Sequence, residues 1–263
     1  MERARTNQDL KPAKEAGLWE SIKETVKVGL QALLIALVVR TLLFQPFNIP
    51  SGSLVPTLLI GDYLFVSKYS YGYSKYSLPL SEYLPFEAKG RIWSAEPKRG
   101  DIAVFKLPKD NATDYIKRVI GLPGDRIQMI NGTLTINGKA VKREQIADYA
   151  TTDAFGQPIQ VPQYVETLPG GVSHRIIERD GDRGMWDNTQ VYTVPPNHFF
   201  MMGDNRDNST DSRDLGSVGY VPFDNFVGRA EVIFFSIDEG TPAWQLWNWP
   251  AHVRWSRLFT TIH

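Results

Sequence analysis

The chain of 263 residues has no cysteine. That excludes a disulfide framework, thiol catalysis and cysteine-bound zinc, and it suits an oxidising compartment. Histidine is scarce too. His174, His198, His252 and His263 are the whole set, and none stands in a metal-binding spacing. No metal and no cofactor is therefore expected. Net charge is also lacking: 29 basic residues balance 29 acidic ones, so no nucleic-acid surface is indicated. Internal repeats and low-complexity tracts are absent. The length suffices for a sizeable core in one large domain or two small ones.

One long apolar run is present. Val28–Val39 contains a single polar residue, Gln31. If Arg40 snorkels, the run extends through Phe44 and reaches the short end of a membrane-spanning helix, with Pro46 as its stop. A cleavable signal peptide is the rival, since Ser51-x-Ser53 imitates a small-x-small site. The long polar region ahead of the run argues for an uncleaved anchor instead. Arg3, Arg5, Lys11, Lys14, Lys23 and Lys27 precede it, which favours a cytoplasmic N-terminus and leaves the rest of the chain outside. The expected layout is a cytoplasmic tail at 1–27, a transmembrane anchor at 28–46 and an extracytoplasmic domain at 47–263.

That domain reads as mainly β, an antiparallel sheet with an inserted β subdomain at about 130–197. Tyr63–Val66, Ile102–Phe105, Tyr115–Ile120 and Ala230–Phe235 are rich in β-branched and aromatic residues. Asn131-Gly132 and Asn137-Gly138 break Arg126–Arg143 into three short strands joined by type I′ turns. Residues 144–190 are polar and weakly periodic, with a strand expected at Val172–Ile177.

Three runs carry the chemistry. Phe47–Leu58 holds Ser53 between Pro50 and Pro56. Asp114–Asp125 places Lys117 among Tyr115, Ile116, Val119 and Ile120. Met201–Asp214 supplies small polar and acidic side chains. A serine hydroxyl needs a base to become a nucleophile. No histidine lies in these runs, so a Ser-His-Asp triad has little support. Lysine can serve if burial keeps it neutral. On a strand, Lys117 and Arg118 point to opposite faces, so one can be buried while the other reaches a partner. Taken alone, Lys117 also fits an edge-strand lysine that discourages aggregation. The serine run likewise fits a plain turn leaving an anchor. The acidic run fails as an EF-hand calcium loop from either Asp204 or Asp207, because the required Gly and Glu are missing.

In this order, with Gly61-Asp62 and Lys98–Ile102 between them, the three runs resemble bacterial type I signal peptidase (leader peptidase), over nearly the whole chain. The resemblance implies a Ser-Lys endopeptidase of the bacterial cytoplasmic (inner) membrane, single-pass, that cuts signal peptides from secreted preproteins after small-x-small sites. It implies Ser53 as nucleophile and Lys117 as general base. Ser51 would donate to the oxyanion, Ser209 would orient the lysine, Asp204 would pair with Arg118 and Asp211 with Arg213. Phe47, Ile49, Val104 and Ile116 would wall shallow S1 and S3 pockets. The substrate would lie extended beside Asp114, Tyr115 and Ile116 and beside Ile49–Ser51. Leu54 stands where the family commonly has methionine, a change of similar volume. The implied partners are preproteins, the lipid bilayer and, by proximity, the secretion translocon. Trp244, Trp247, Trp249, Trp255 and Phe259, interspersed with Arg254 and Arg257, suit either a bilayer interface or a cap on the β core. Rival readings are another Ser-Lys protease, such as a self-cleaving repressor relative, and an inactive membrane-tethered β scaffold.

Overall fold

The computed structural model describes residues 13–77, 90–153, 155–238, 240–241 and 245–262. The chain divides into two compact units, residues 1–40 and 41–263. The first is dominated by helix α1, Ala13–Leu42. Its stretch Trp19–Leu42 is long and apolar enough to cross a membrane, and none of the apolar window is buried. The helix ends two residues short of Phe44, where the sequence reading had carried the span. Phe44 instead opens strand β1, Phe44–Asn48, which pairs with Asp62–Ser67. Pro46 therefore sits in an edge strand rather than at the helix end, a place where its missing N–H is tolerated. Arg3, Arg5 and Lys11 lie outside the described residues, as does Trp244.

The second unit is antiparallel β. In chain order its strands after β1 are β2 Asp62–Ser67, β3 Ile102–Lys106, β4 Asp114–Gly121, β5 Arg126–Ile130, β6 Thr133–Ile136 and β7 Lys139–Ala140. There follow β8 Lys142–Thr152, β9 Pro158–Thr167, β10 Ser173–Ile177, β11 Tyr192–Thr193, β12 His198–Met202, β13 Val221–Pro222, β14 Phe226–Ser236 and β15 Thr260–Thr261. The main sheet runs β1-β2-β14-β3-β4-β12-β13, with β15 added to β14. A second sheet is β11-β5-β6-β7 and a third β10-β9-β8.

The centre of the main sheet is buried on both faces. Ile102 and Val104 of β3 pack with Ile49, Leu54 and Leu64, whereas Ala103 and Phe105 pack with Val119, Met201 and Phe226. The expected Asn-Gly hairpins are present: Asn131, Gly132, Asn137 and Gly138 all have positive φ, as type I′ turns require. The sequence reading did not find the β8–β9 hairpin. Exposed positions crowd both faces of β8, so no two-residue alternation marks it. The expected strand at Val172–Ile177 appears as Ser173–Ile177.

The third sheet is tied to the segment after β12 at two points. Ile177 N–H donates to the Asp204 carbonyl at 3.0 Å. Glu166 on β9 receives both Nη groups of Arg206, at 2.9 and 2.6 Å, and both side chains are buried.

At the C-terminus, Arg254 and Arg257 turn inward. Arg257 binds the buried Asp62 at 3.0 and 2.5 Å, and Arg254 donates to the Ile60 carbonyl and Ser236. These arginines stitch the C-terminal segment to β2, so the head-group role allowed for them is not needed. Trp249 packs on Phe235, while Trp247, Trp255 and Phe259 stay exposed.

Glu166→Gln should leave the Arg206 guanidinium buried without its counter-charge and cost about 3–5 kcal/mol of stability. Denaturant unfolding of the two proteins in detergent measures the difference, and an unchanged midpoint would mean that the pair is not a structural tie.

Candidate active site

The nucleophile loop follows from β1. Ile49 N–H donates to the Asp62 carbonyl and Gly61 N–H to the Ile49 carbonyl, which fixes the exit from the strand. Gly52–Leu54 then forms one turn of 3-10 helix, with Leu54 in the core and Ser53 7 % exposed. Across from it, β4 presents Lys117, 4 % exposed, with its Nζ 2.7 Å from Ser53 Oγ. Lys117 Nζ also stands 5.4 Å from the centre of the Tyr115 ring.

Burial is the main influence on Lys117, and it pushes the ammonium down from 10.5 to about 8. Asp211 and Asp204 pull the other way, and Arg213 reinforces the lowering. Both carboxylates are already committed. Asp204 receives Nε and Nη2 of Arg118 at 2.8 and 2.7 Å, and the Thr57 hydroxyl at 2.6 Å. Asp211 receives Nε and Nη2 of Arg213, both at 2.9 Å, and the Gly203 N–H at 3.0 Å. Burial alone would raise either acid, but the arginine beside it wins and holds each below the usual carboxylate range.

Ser51 is exposed, and its Oγ lies 3.5 Å from Ser53 Oγ. Ser209 lies at the same cleft, buried. Its hydroxyl makes no hydrogen bond to Lys117 in this structure and is directed at the Asp211 carboxylate instead. The Ser212 hydroxyl, the other serine of that run, accepts the Met201 N–H at 2.9 Å and is spent on β12.

Three residues escaped the sequence reading. The Asn205 backbone N–H donates to the Ser53 carbonyl and its side-chain amide to the Gly52 carbonyl, both at 3.1 Å, pinning the nucleophile loop. A Cβ on Gly203 would fall 2.3 Å from Ser209 Oγ and 2.5 Å from the Ser53 carbonyl oxygen, so only glycine fits. Thr57 adds a third bond to Asp204. Gly203 and Asn205 stood in a quoted run, but nothing in one sequence marks them as contacts of Ser53.

Ser53 and Lys117 open into a cleft of about 540 Å³ lined by Pro50–Ser53, Asp114–Lys117, Trp186 and Asp207–Thr210. Asp114, Tyr115 and Ile116 are thus brought to it. Phe47, Ile49 and Val104 are not in its lining; they pack with Leu54 and Ile116 in the adjoining core. Another cavity, about 830 Å³, is lined by Lys98, Arg229 and Glu231 among others and contains none of the dyad residues. His174 is buried 3.4 Å from Glu166 and 3.8 Å from Asp204; burial, foremost, lowers it to about 4, so it is neutral.

A profile described as signal peptidase, peptidase S26, matches residues 22–235. The chain is 42% identical over 243 residues to the signal peptidase I of Rickettsia typhi, covering 87% of this chain and 89% of that protein. It is 44% identical over 209 residues to that of Rickettsia canadensis, covering 77% and 76%. A crystal structure of a signal peptidase I from Enterococcus faecalis shares 26% identity, covers 51% of this chain and 97% of that one, and has a TM-score of 0.31.

A Lys117 pKa near 8 has a consequence for stability. Between about 8 and 10.5 the unfolded chain holds a proton on this lysine that the folded chain has lost, so this group makes stability rise with pH across that window. Lys117→Met should abolish the rise and make the protein more stable at neutral pH. Unfolding midpoints from pH 7 to 10.5 test this, and identical profiles for both proteins would contradict a neutralised lysine.

Proposed function

The chain belongs to the signal peptidase family, peptidase S26, and is a serine peptidase that removes signal peptides; we propose that Ser53 and Lys117 are the dyad with which it does so. One observation carries the assignment: a buried lysine Nζ is 2.7 Å from a serine Oγ, with its pKa lowered to about 8. In that state Lys117 accepts the Ser53 proton as Oγ attacks the scissile carbonyl. The new oxyanion is met by the Ser53 N–H and the Ser51 hydroxyl. Collapse breaks the C–N bond, and Lys117 passes its proton to the departing amine. Water, deprotonated by the same lysine, then hydrolyses the acyl-enzyme and restores Ser53.

Asp204–Arg118 and Asp211–Arg213 hold the segment that carries Ser209 and keep two carboxylates from holding Lys117 charged. Ser209 orients Lys117 once substrate closes the cleft, its hydroxyl turning from Asp211 to do so. The substrate lies extended along Asp114–Ile116 and Ile49–Ser51, adding a strand at β4. Ile116, backed by Phe47, Ile49 and Val104, rejects charged and bulky groups, which sets a preference for small-x-small sites. Trp19–Leu42 anchors the enzyme in the bilayer, with the N-terminus cytoplasmic by the positive-inside rule and the peptidase unit outside, near the translocon that delivers preproteins.

Cleavage of a preprotein by the detergent-solubilised protein should occur after a small-x-small site and vanish in Ser53→Ala. Lys117→Arg should be equally inactive, since arginine stays charged. For the unmutated enzyme, kcat/KM should climb roughly tenfold per pH unit and level off above about 8, where Lys117 is neutral. An active Lys117→Arg protein, or an acid limb centred well below this, removes Lys117 as the base.

Ser51→Ala deletes one oxyanion donor and should lower kcat about 10²–10³-fold with little change in KM. A change confined to KM would assign Ser51 to substrate binding instead.

A further inference from the structure

The sequence contains no linear calcium loop, yet the fold gathers three carboxylates from three separate segments. Ligand oxygens of Glu178, Asp187 and Asp207 all lie within 4.8 Å of one another. This is about twice the 2.3–2.6 Å calcium–oxygen bond, so one ion can reach all three. A second observation concerns hydrogen bonding. Glu178 and Asp187 are fully buried, and neither Glu178 oxygen nor Asp187 Oδ1 receives a hydrogen bond from any described residue. Buried carboxylate oxygens in that condition call for a cation or a proton.

Fixed charge on the protein does not meet the need. Arg143 Nη1 stands 3.7 Å from Glu178, but this guanidinium also serves Asp182 and the Gly132 carbonyl. Arg206, which also acts on Glu178, is bound to Glu166. Burial, chiefly, pushes Glu178 up to about 8 and raises Asp207 as well. The carboxylates are held in place by backbone rather than by cations. Gly184 N–H donates to Asp187 at 2.6 Å and Asp180 N–H to Asp207 at 2.8 Å. A Cβ on Gly184 would fall 2.2 Å from Asp207 Oδ1 and 3.1 Å from Asp187 Oδ2, so glycine keeps the space beside both acids open.

We propose that Glu178, Asp187 and Asp207 bind one hard divalent cation of the calcium class. Three gathered carboxylates with no set octahedral frame suit calcium's flexible coordination better than magnesium, which demands a strict octahedron and keeps several waters. The ion ties the 178–187 segment to the segment that carries Ser209. Asp207 and Trp186 both line the catalytic cleft, so the tie sets one wall of it.

The test uses the full chain in detergent, freed of metal by a chelator and titrated with terbium as a luminescent substitute for calcium. Trp186 adjoins Asp187 and sensitises terbium held there. Saturable emission that calcium displaces, lost in both Asp187→Asn and Glu178→Gln, is expected. Calcium should also raise the Tm of the unmutated protein and leave those two variants unmoved. Emission equal in all three proteins would mean adventitious surface binding and overturn the site. A Tm indifferent to calcium, with stability that falls from about pH 4.5 to 8 and a Glu178→Gln protein lacking that fall, would show that a proton fills the role and would equally overturn it.

Discussion

An ammonium must be stripped of water beside a serine hydroxyl, and most of the peptidase unit answers that requirement. Lys117 cannot give up its charge while a free carboxylate stands near it. Two stand near it, Asp204 and Asp211, and both raise its pKa. Each is engaged by its own arginine through two hydrogen bonds. The ion pairs thus do more than hold loops. They offset the carboxylates' negative charge with guanidinium groups, so burial decides the protonation of the lysine. Removing either arginine would leave a buried carboxylate whose nearest remedy is a protonated Lys117.

The same requirement explains where the dyad sits in the fold. β4 lies between β3 and β12 in the main sheet; Lys117 pairs with Ala103 of β3, lies one residue past the end of the β12 pairing at Arg118–Met202, and meets Ser53 of the facing loop. Arg118, the next residue, pairs across β12 with Met202 and reaches Asp204 just beyond that strand's end. A single strand therefore positions the base and the clamp on the segment that carries Ser209. Gly203 completes the fit, since its bare Cα lets the Ser53 carbonyl and the Ser209 side chain approach from two sides. The third sheet contributes at a distance, by seating Arg206 against Glu166 beneath that segment.

The elements that could be read from the sequence were those whose local chemistry agrees with their role. β3 is buried on both faces and spells itself as the apolar run Ile102–Phe105, and β4 shows its β-branched and aromatic residues around the buried Lys117 and Arg118. The Asn-Gly turns carry their own backbone preference. Ser53, Lys117 and the two aspartate–arginine pairs followed from the resemblance that three short runs carry, and the fold brings these residues together. What stayed hidden depends on tertiary context. β8 is exposed on both faces and has no period to detect. Asn205 acts through its backbone N–H, which any residue possesses, and Gly203 matters for a side chain it lacks. The boundary at Leu42 was misplaced because Phe44 is apolar in either setting; pairing with Ser67 draws it into a strand. Arg254 and Arg257 fitted a bilayer interface or a cap on the β core equally well, and the sequence could not show Asp62 as their buried partner.

As the proposed base, a lysine tuned to about 8 is a compromise between strength and availability. At pH 7 roughly one-tenth of it is neutral, whereas an unperturbed histidine would be mostly neutral. The neutral lysine is in return the stronger proton acceptor, which favours deprotonation of a hydroxyl whose own pKa is far higher. Burial also works on the second half of the cycle. Once Lys117 has taken the proton, it is an ammonium in a place that disfavours ammonium, and so a better acid than it would be in water. That is the property needed to protonate a departing amine. One desolvated side chain can thus serve as base and then as acid without a relay. His174, only 3.8 Å from Asp204, is kept neutral chiefly by its own burial, with Arg118 adding to the effect, and stands in the buried charge network rather than against Ser53.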